Sequence, residues 1–198
     1  MKFSTRNLVT LAVFGTLWGI SEITLGTLLK TLDIPLSGLL LSIIGLTIAL
    51  IGRIFVPMKG STIFIGAIAM LLKLFSLGGV VLGPMLGIFG EAIIAEILLS
   101  LTGKPRLGSL ILAGGLSTLW VLAQPFVTNP ILYGRSVLIV WEKVINNGGK
   151  LLGLGTNVAF WIMGILALIH LASGAVVGIL SWTLGGALQK RVGISAEG

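Results

Sequence analysis

Six apolar stretches, near residues 8–29, 37–56, 61–78, 80–101, 107–127 and 156–188, follow one another along this chain with short interruptions. They match the roughly 17–25 residues that a helix needs to cross a hydrocarbon core of about 30 Å. A segment in that core has no water to satisfy its backbone N–H and C=O groups, and a helix satisfies them internally. The expected fold is therefore an all-α integral membrane protein. Residues 1–198 are expected to form one multi-pass domain, a six-transmembrane-helix bundle. The last stretch is long enough to be broken or to project beyond the bilayer.

Composition agrees. Hydrophobic residues make up 56% of the chain and charged residues only 10%, which disfavours a soluble globular fold. Glycine, at 29 of 198 residues, suits helices that pack closely through small side chains. There is no cysteine, which excludes disulfides, thiolate catalysis and Cys-ligated metals. The net charge of +7 is spread singly over connectors, a pattern of membrane topology rather than a nucleic-acid face. Lys2, Arg6 and Leu8–Ile20 have the outline of a signal peptide, but no small-x-small cleavage site follows and Glu22 interrupts the run. A retained first helix is expected.

Turn chemistry separates the stretches at Asp33-Ile34-Pro35, Pro57-Met58-Lys59-Gly60, Gly78-Gly79 and Gly103-Lys104-Pro105. With the N-terminus inside, Lys2, Arg6, Arg53, Lys59, Lys104, Arg106, Lys190 and Arg191 fall on inner connectors. Only Lys30, Arg135, Lys143 and Lys150 fall on the outer, longer ones. The positive-inside rule then puts both termini in the cytoplasm. The outer connector 128–155 is too long for a plain turn. Within it Ser136–Asn146 has helical apolar spacing (Val137, Leu138, Trp141, Val144, Ile145). That predicts a short amphipathic helix closed by Asn147-Gly148-Gly149, serving as a lid or as an interfacial anchor.

Carboxylates inside an apolar run need somewhere polar to point, because hydrocarbon charges roughly 2.5–3.5 kcal/mol for a central charge. Glu91 and Glu96 lie in the fourth stretch, Glu22 in the first and Lys73 in the third. At helical spacing Gly83, Gly87, Glu91, Ala95 and Leu98 form one stripe, so Glu91 ends a groove of missing side chains. Glu96 lies about 140° further round, which argues against a two-carboxylate site. With Val80 outside, Glu91 falls near mid-membrane. Two readings stay open: a Lys73–Glu91 or Lys73–Glu22 pair that neutralises itself, and Glu91 as a ligand-binding carboxylate. Trp120, Gln124, Asn129, Tyr133, Asn157 and Trp161 gather at the outer ends of the last two spans. They suit either a planar heterocycle or an ordinary aromatic belt. His170, the single histidine, reads as a packing residue before a ligand.

No P-loop, His-Glu-x-x-His cluster or Gly-x-Ser-x-Gly elbow is present. No nucleophile–base set is visible, so the chain is not expected to be an enzyme, to hold a metal or to need a cofactor. Small-x-x-x-small pairs occur at Ala12/Thr16, Gly15/Gly19 and Gly174/Gly178, for packing within the bundle or against another subunit.

This arrangement resembles the substrate-binding S components of energy-coupling factor (ECF) transporters. The likeness rests on six spans with both ends inside, a small-residue motif in the first helix and the stretch His170-Leu-Ala-Ser-Gly-Ala-Val-Val-Gly178. Gly83-Pro-Met85 with Gly90-Glu91-Ala92 is similar to the group that transports thiamine or its hydroxymethylpyrimidine moiety. The resemblance implies capture of a small vitamin-like molecule from outside. It also implies association with a transmembrane coupling subunit and two cytoplasmic ATPases. Coupling-subunit contacts would fall on Ala12 and Thr16 or on Gly15 and Gly19, where the family presents Ala-x-x-x-Ala. The implied pocket would include Glu91, Trp120, Gln124, Asn157 and Trp161, beside Lys73 and Glu22. The rival expectation is an ion- or proton-coupled secondary transporter with Glu22, Lys73, Glu91 and Glu96 as its relay, although no internal repeat is visible.

Overall fold

The structure is a computed structural model that describes residues 3–76 and 82–193. Lys2, the Gly78-Gly79 turn and the Val80 start of the fourth stretch lie outside the described residues. Those described form seven α-helices and no strand: α1 (Thr5–Thr31), α2 (Ser37–Phe55), α3 (Ser61–Leu72), α4 (Leu82–Thr102), α5 (Leu107–Tyr133), α6 (Val137–Leu152) and α7 (Ala159–Arg191). Short 3-10 turns follow α3 at Lys73–Phe75 and precede α7 at Thr156–Val158. Five segments are long and apolar enough to cross a membrane: α1, α2, α4, α5 and α7 with its preceding turn. The third stretch is shorter than expected, an apolar helical segment over Ser61–Phe75. The last is a single unbroken helix of 33 residues.

Six helices close into a ring in the order α1, α2, α7, α5, α4, α3 and back to α1. Leu11, Trp18, Ala49, Ile65, Ala69 and Ala92 fill the α1–α2–α3–α4 side. Leu46, Leu50, Ala95, Leu99, Leu110, Ala113 and Val177 fill the side between α2, α4, α5 and α7. The outward faces stay apolar, as at Val9, Val13, Leu17 and Ile20 of α1. A bundle greasy on its outside and packed inside fits a membrane-embedded multi-pass protein.

Glycines set the closest approaches. A Cβ at Gly114 or Gly174 would strike the other's backbone, and one at Gly178 would meet Leu110 and Ile111 at 2.5–2.6 Å. Backbone therefore rests on backbone along the α5–α7 seam, as small-residue packing permits. Gly15 and Gly19 are likewise consumed inside the bundle, where a Cβ would lie 2.7–2.9 Å from Ile65, Ile68 and Leu72 of α3. Of the four residues expected at a coupling subunit, Thr16 is exposed, Ala12 is half-buried, and Gly15 and Gly19 are buried.

The 128–155 connector differs from expectation at both ends. α5 runs on to Tyr133 through Pro125 and Pro130. These prolines withhold the N–H groups that would reach the Val121 and Phe126 carbonyls. Asn129 Nδ2 donates to the Pro125 carbonyl (2.9 Å) and Thr128 Oγ1 to that of Gln124 (3.0 Å), tightening this stretch. α6 begins where Ser136 caps it, accepting from the Ile139 N–H at 3.3 Å. It does not stop at Asn147-Gly148-Gly149. Gly148 and Gly149 are buried, and a Cβ at Gly148 would lie 2.7–2.8 Å from Ile162 and Leu166. They let α6 lie on α7, and the helix ends instead at Gly153, φ 67°. Ile145, Ile162 and Leu166 form the small core beneath it.

Candidate functional site

The buried glutamate, lysine and arginine residues fall into two groups, Glu22, Lys73 and Glu91 towards one end of the bundle and Arg53 with Glu96 towards the other. At the end carrying the α1–α2 and α5–α6 connectors, the helices diverge around a cavity of about 520 Å³. α1 contributes Glu22, Gly26 and Thr27, α2 contributes Gly38 and Leu41, and Lys73 enters from the 3-10 turn after α3. α4 contributes the stripe Gly83, Gly87 and Glu91, and α5 contributes Gln124, Thr128 and Asn129, with Tyr133 at its end.

Lys73 pairs with Glu22, not with Glu91. Its Nζ donates to the Glu22 backbone carbonyl at 2.6 Å and to Oε2 at 3.1 Å, with both residues 6% exposed. Gly26 makes room for it, since a Cβ there would lie 3.0 Å from Nζ. Glu91 is equally buried, at 6% exposure, but forms no ion pair with any described residue. Its Oε2 has no hydrogen-bond partner, while its backbone carbonyl accepts from Ser117 Oγ at 3.1 Å. The Glu22 carboxylate and the Ser42 hydroxyl are the polar side chains that act on this carboxyl. Gln124 crosses from α5 to α4, donating from Nε2 to the Gly83 carbonyl at 2.7 Å. It fits only because Gly87 lacks a side chain, for a Cβ there would sit 2.9 Å from Gln124 Oε1.

Glu22, Lys73, Glu91 and Gln124 thus come together, and three other expected residues do not join them. Trp120 is half-buried on α5 with its indole against the backbone of Gly90, and it does not line the cavity. Trp161 is 74% exposed, and Asn157 is exposed in the turn before α7. Trp120 and Trp161, expected in the implied pocket, therefore lie off the wall of this cavity. Helices apolar on all sides do not encode which face turns inward, and distance from the membrane edge alone does not separate cavity-lining residues from the rest. Ser42, buried on α2 beside the Glu91 carboxyl, adds a polar group that was not among the expected site residues; a serine between Gly38 and Gly45 in an apolar span is its faint signal.

The opposite end holds Glu96, and here an inner-connector assignment is corrected. Arg53 belongs to α2, is 2% exposed, and places Nη1 3.2 Å from Glu96 Oε1. The connector starts only after Phe55, so the side chain turns back into the bundle. Glu96 also accepts from the N–H groups of Gly60 (2.8 Å) and Thr62 (2.9 Å) and from Ser100 Oγ (2.5 Å). It caps α3, where an anion complements the exposed N–H groups and the helix dipole.

A second cavity of about 790 Å³ lies between the α1–α2 connector, α5, α6 and α7, and shares Gly38, Val121 and Pro125 with the first. His170 lies on its wall, 2% exposed, with Nδ1 2.7 Å from the Leu166 carbonyl. Its backbone carbonyl accepts from Thr118 Oγ1 at 2.7 Å. Among the described residues no group of three or more His, Cys, Asp or Glu is placed to hold a metal. Comparison with protein-family models, curated proteins and solved structures finds no match to this chain.

Proposed function

We propose that this chain is the membrane-embedded, substrate-binding S component of an ECF-type transporter, capturing a small vitamin-like molecule of thiamine-related type. In this reading it crosses the membrane six times, with both termini in the cytoplasm. The third crossing is Ser61–Phe75, about 24 Å long at 1.5 Å per α-helical and 2.0 Å per 3-10 residue. That is shorter than the hydrocarbon core, but irregular backbone is tolerated where it lines a cavity, as Lys73 and Ser76 do. The cavity then faces outward.

The observation that carries this reading is Glu91, a buried acid in no ion pair whose Oε2 has no hydrogen-bond partner, on the wall of a 520 Å³ cavity at one end of the bundle. Isolated charges are not left in apolar surroundings without a use. A cationic or hydrogen-bond-donating part of the ligand supplies what Glu91 lacks. Ala12 and Thr16 stand beside exposed Val9, Val13 and Ile20 and offer the coupling subunit a surface. That subunit and two cytoplasmic ATPases provide the driving force, and the chain itself catalyses no reaction. A relay through all four ionisable residues is less well supported, since Lys73 is bonded to Glu22 and Glu96 is held by Arg53 at the far end.

The test is native mass spectrometry of protein purified without added ligand, followed by binding measurements on Glu91→Gln. We expect one small organic molecule per chain and at least tenfold weaker binding in the variant. That loss, about 1.4 kcal/mol, is within reach of one charged hydrogen bond. Uptake by the purified chain alone in liposomes, driven by an ion gradient, would refute the reading.

A further inference from the structure

We infer that the second cavity, walled by α5, α6, α7 and the α1–α2 connector, is a binding site of its own. It takes an uncharged, largely apolar molecule that points a hydrogen-bond donor at His170. Nothing in this depends on capture at Glu91, and neither Glu91 nor Lys73 is on the wall of this cavity. Its volume of about 790 Å³ suits a small organic molecule. Leu36, Leu39, Leu122, Leu151 and Leu166 make the surface mostly apolar. The polar side chains are Asp33, Asn147 and Lys150, all exposed at the rim, and His170, which is 2% exposed.

His170 follows Ala159, the first residue of α7, by 11 positions, about 16 Å of helix at 1.5 Å per residue. Thr118 Oγ1 donates to its backbone carbonyl at 2.7 Å and ties α5 to α7 at this depth. Its Nδ1 lies 2.7 Å from the Leu166 carbonyl, one turn back. A carbonyl oxygen only accepts, so Nδ1 carries the proton, and in the neutral ring Nε2 is a bare acceptor. No described residue donates to Nε2. It is the nitrogen turned away from the helix's own backbone. A buried acceptor left bare costs free energy until a donor meets it. A lipid tail would fill the volume without supplying that donor. A charged group would lose its hydration at this depth and find no buried counter-charge, since Asp33 and Lys150 are opposite in sign and stand in water. Backbone strain falls on the same wall: Asp33 (φ 49°) and Leu36 (φ 53°) both hold the left-handed region.

The experiment uses the full chain in detergent, on a tag free of histidine, isotope-labelled in histidine and followed by nitrogen NMR. His170 is the single histidine, so its two ring nitrogens are the only imidazole signals. At neutral pH, without added probe, Nδ1 is expected to be protonated and Nε2 bare. The probes are indole and benzofuran, nearly identical in shape, one with an N–H where the other has a ring oxygen. Indole is expected to move the Nε2 signal saturably. By equilibrium dialysis corrected for protein-free micelles, it should bind about tenfold or more tightly than benzofuran. His170→Leu should abolish that difference. Benzamidinium and benzoate, rings of similar size that carry a charge, should leave the Nε2 signal in place. A protonated Nε2 before any probe is added, equal affinity for indole and benzofuran, or a shift that never saturates overturns the inference. So do charged probes that move Nε2 as far as indole does. An indole preference lost in Glu91→Gln and kept in His170→Leu puts the molecule in the other cavity and also overturns it. The titration of the unaltered chain is decisive by itself if His170→Leu fails to fold. None of these outcomes bears on what the Glu91 cavity retains through purification, so the two readings fail separately.

Discussion

Replacing Glu96 with alanine should destabilise the bundle severely without touching the cavity. The carboxylate holds Arg53 Nη1 at 3.2 Å, the Gly60 and Thr62 N–H groups at 2.8 and 2.9 Å, and Ser100 Oγ at 2.5 Å. Arg53 is 2% exposed, so removing its partner strands a buried charge, at a cost of about 3–5 kcal/mol. Each N–H left bare adds about 1–3 kcal/mol where water cannot reach it. Relaxation around the site overlaps these terms, and we expect a net loss near 5 kcal/mol. The double variant Arg53→Met, Glu96→Leu removes the stranded charge but not the bare N–H groups, and should recover about 3 kcal/mol of that loss. Denaturant titration in mixed micelles, followed by tryptophan fluorescence, measures both. A Glu96→Ala loss below about 0.5 kcal/mol, or a double variant no more stable than the single one, would refute the structural role given to Glu96.

Lys73→Met should strand the buried Glu22 carboxylate and cost about 3–5 kcal/mol in the same assay, with Glu22→Gln added to it restoring most of the loss. Gly174→Ala should push α5 and α7 apart, costing about 1–3 kcal/mol. Gly164→Ala, on the same helix with nothing within 4 Å, should be neutral or stabilising by up to about 1 kcal/mol. Trp161→Ala should leave affinity for the retained molecule within about 0.5 kcal/mol, because the side chain is 74% exposed and off the cavity wall; isothermal titration decides.

Helical segments and the amphipathic helix between α5 and α7 were legible from spacing, and a polar interior for Glu22, Lys73 and Glu91 from the cost of charges in apolar runs. Three things were not. Arg53, two residues before the end of α2, is indistinguishable in sequence from a connector cation, and only the position of Glu96 turns it inward. Pro125, Pro130 and Gly148-Gly149 signal breaks by propensity, yet side-chain bonds from Thr128 and Asn129 to carbonyls one turn back and the need to lie against α7 override them. The inward faces of α5 and α7 were hidden because lipid and core ask for the same residues. Trp120 and Trp161 therefore looked equivalent to Gln124 until the helices were placed.

The α5–α7 seam has a mechanical consequence. Where main chain rests on main chain there are no long side chains to re-pack, so the two helices move as one beam. α5 forms one wall of the Glu91 chamber. Were the chamber to take up a ligand as proposed, its breathing would fall to the other walls, α1, α2, α4 and the turn that carries Lys73. Spin-label distances across α5–α7 should stay constant between empty and loaded protein, while those from α1 to α5 change.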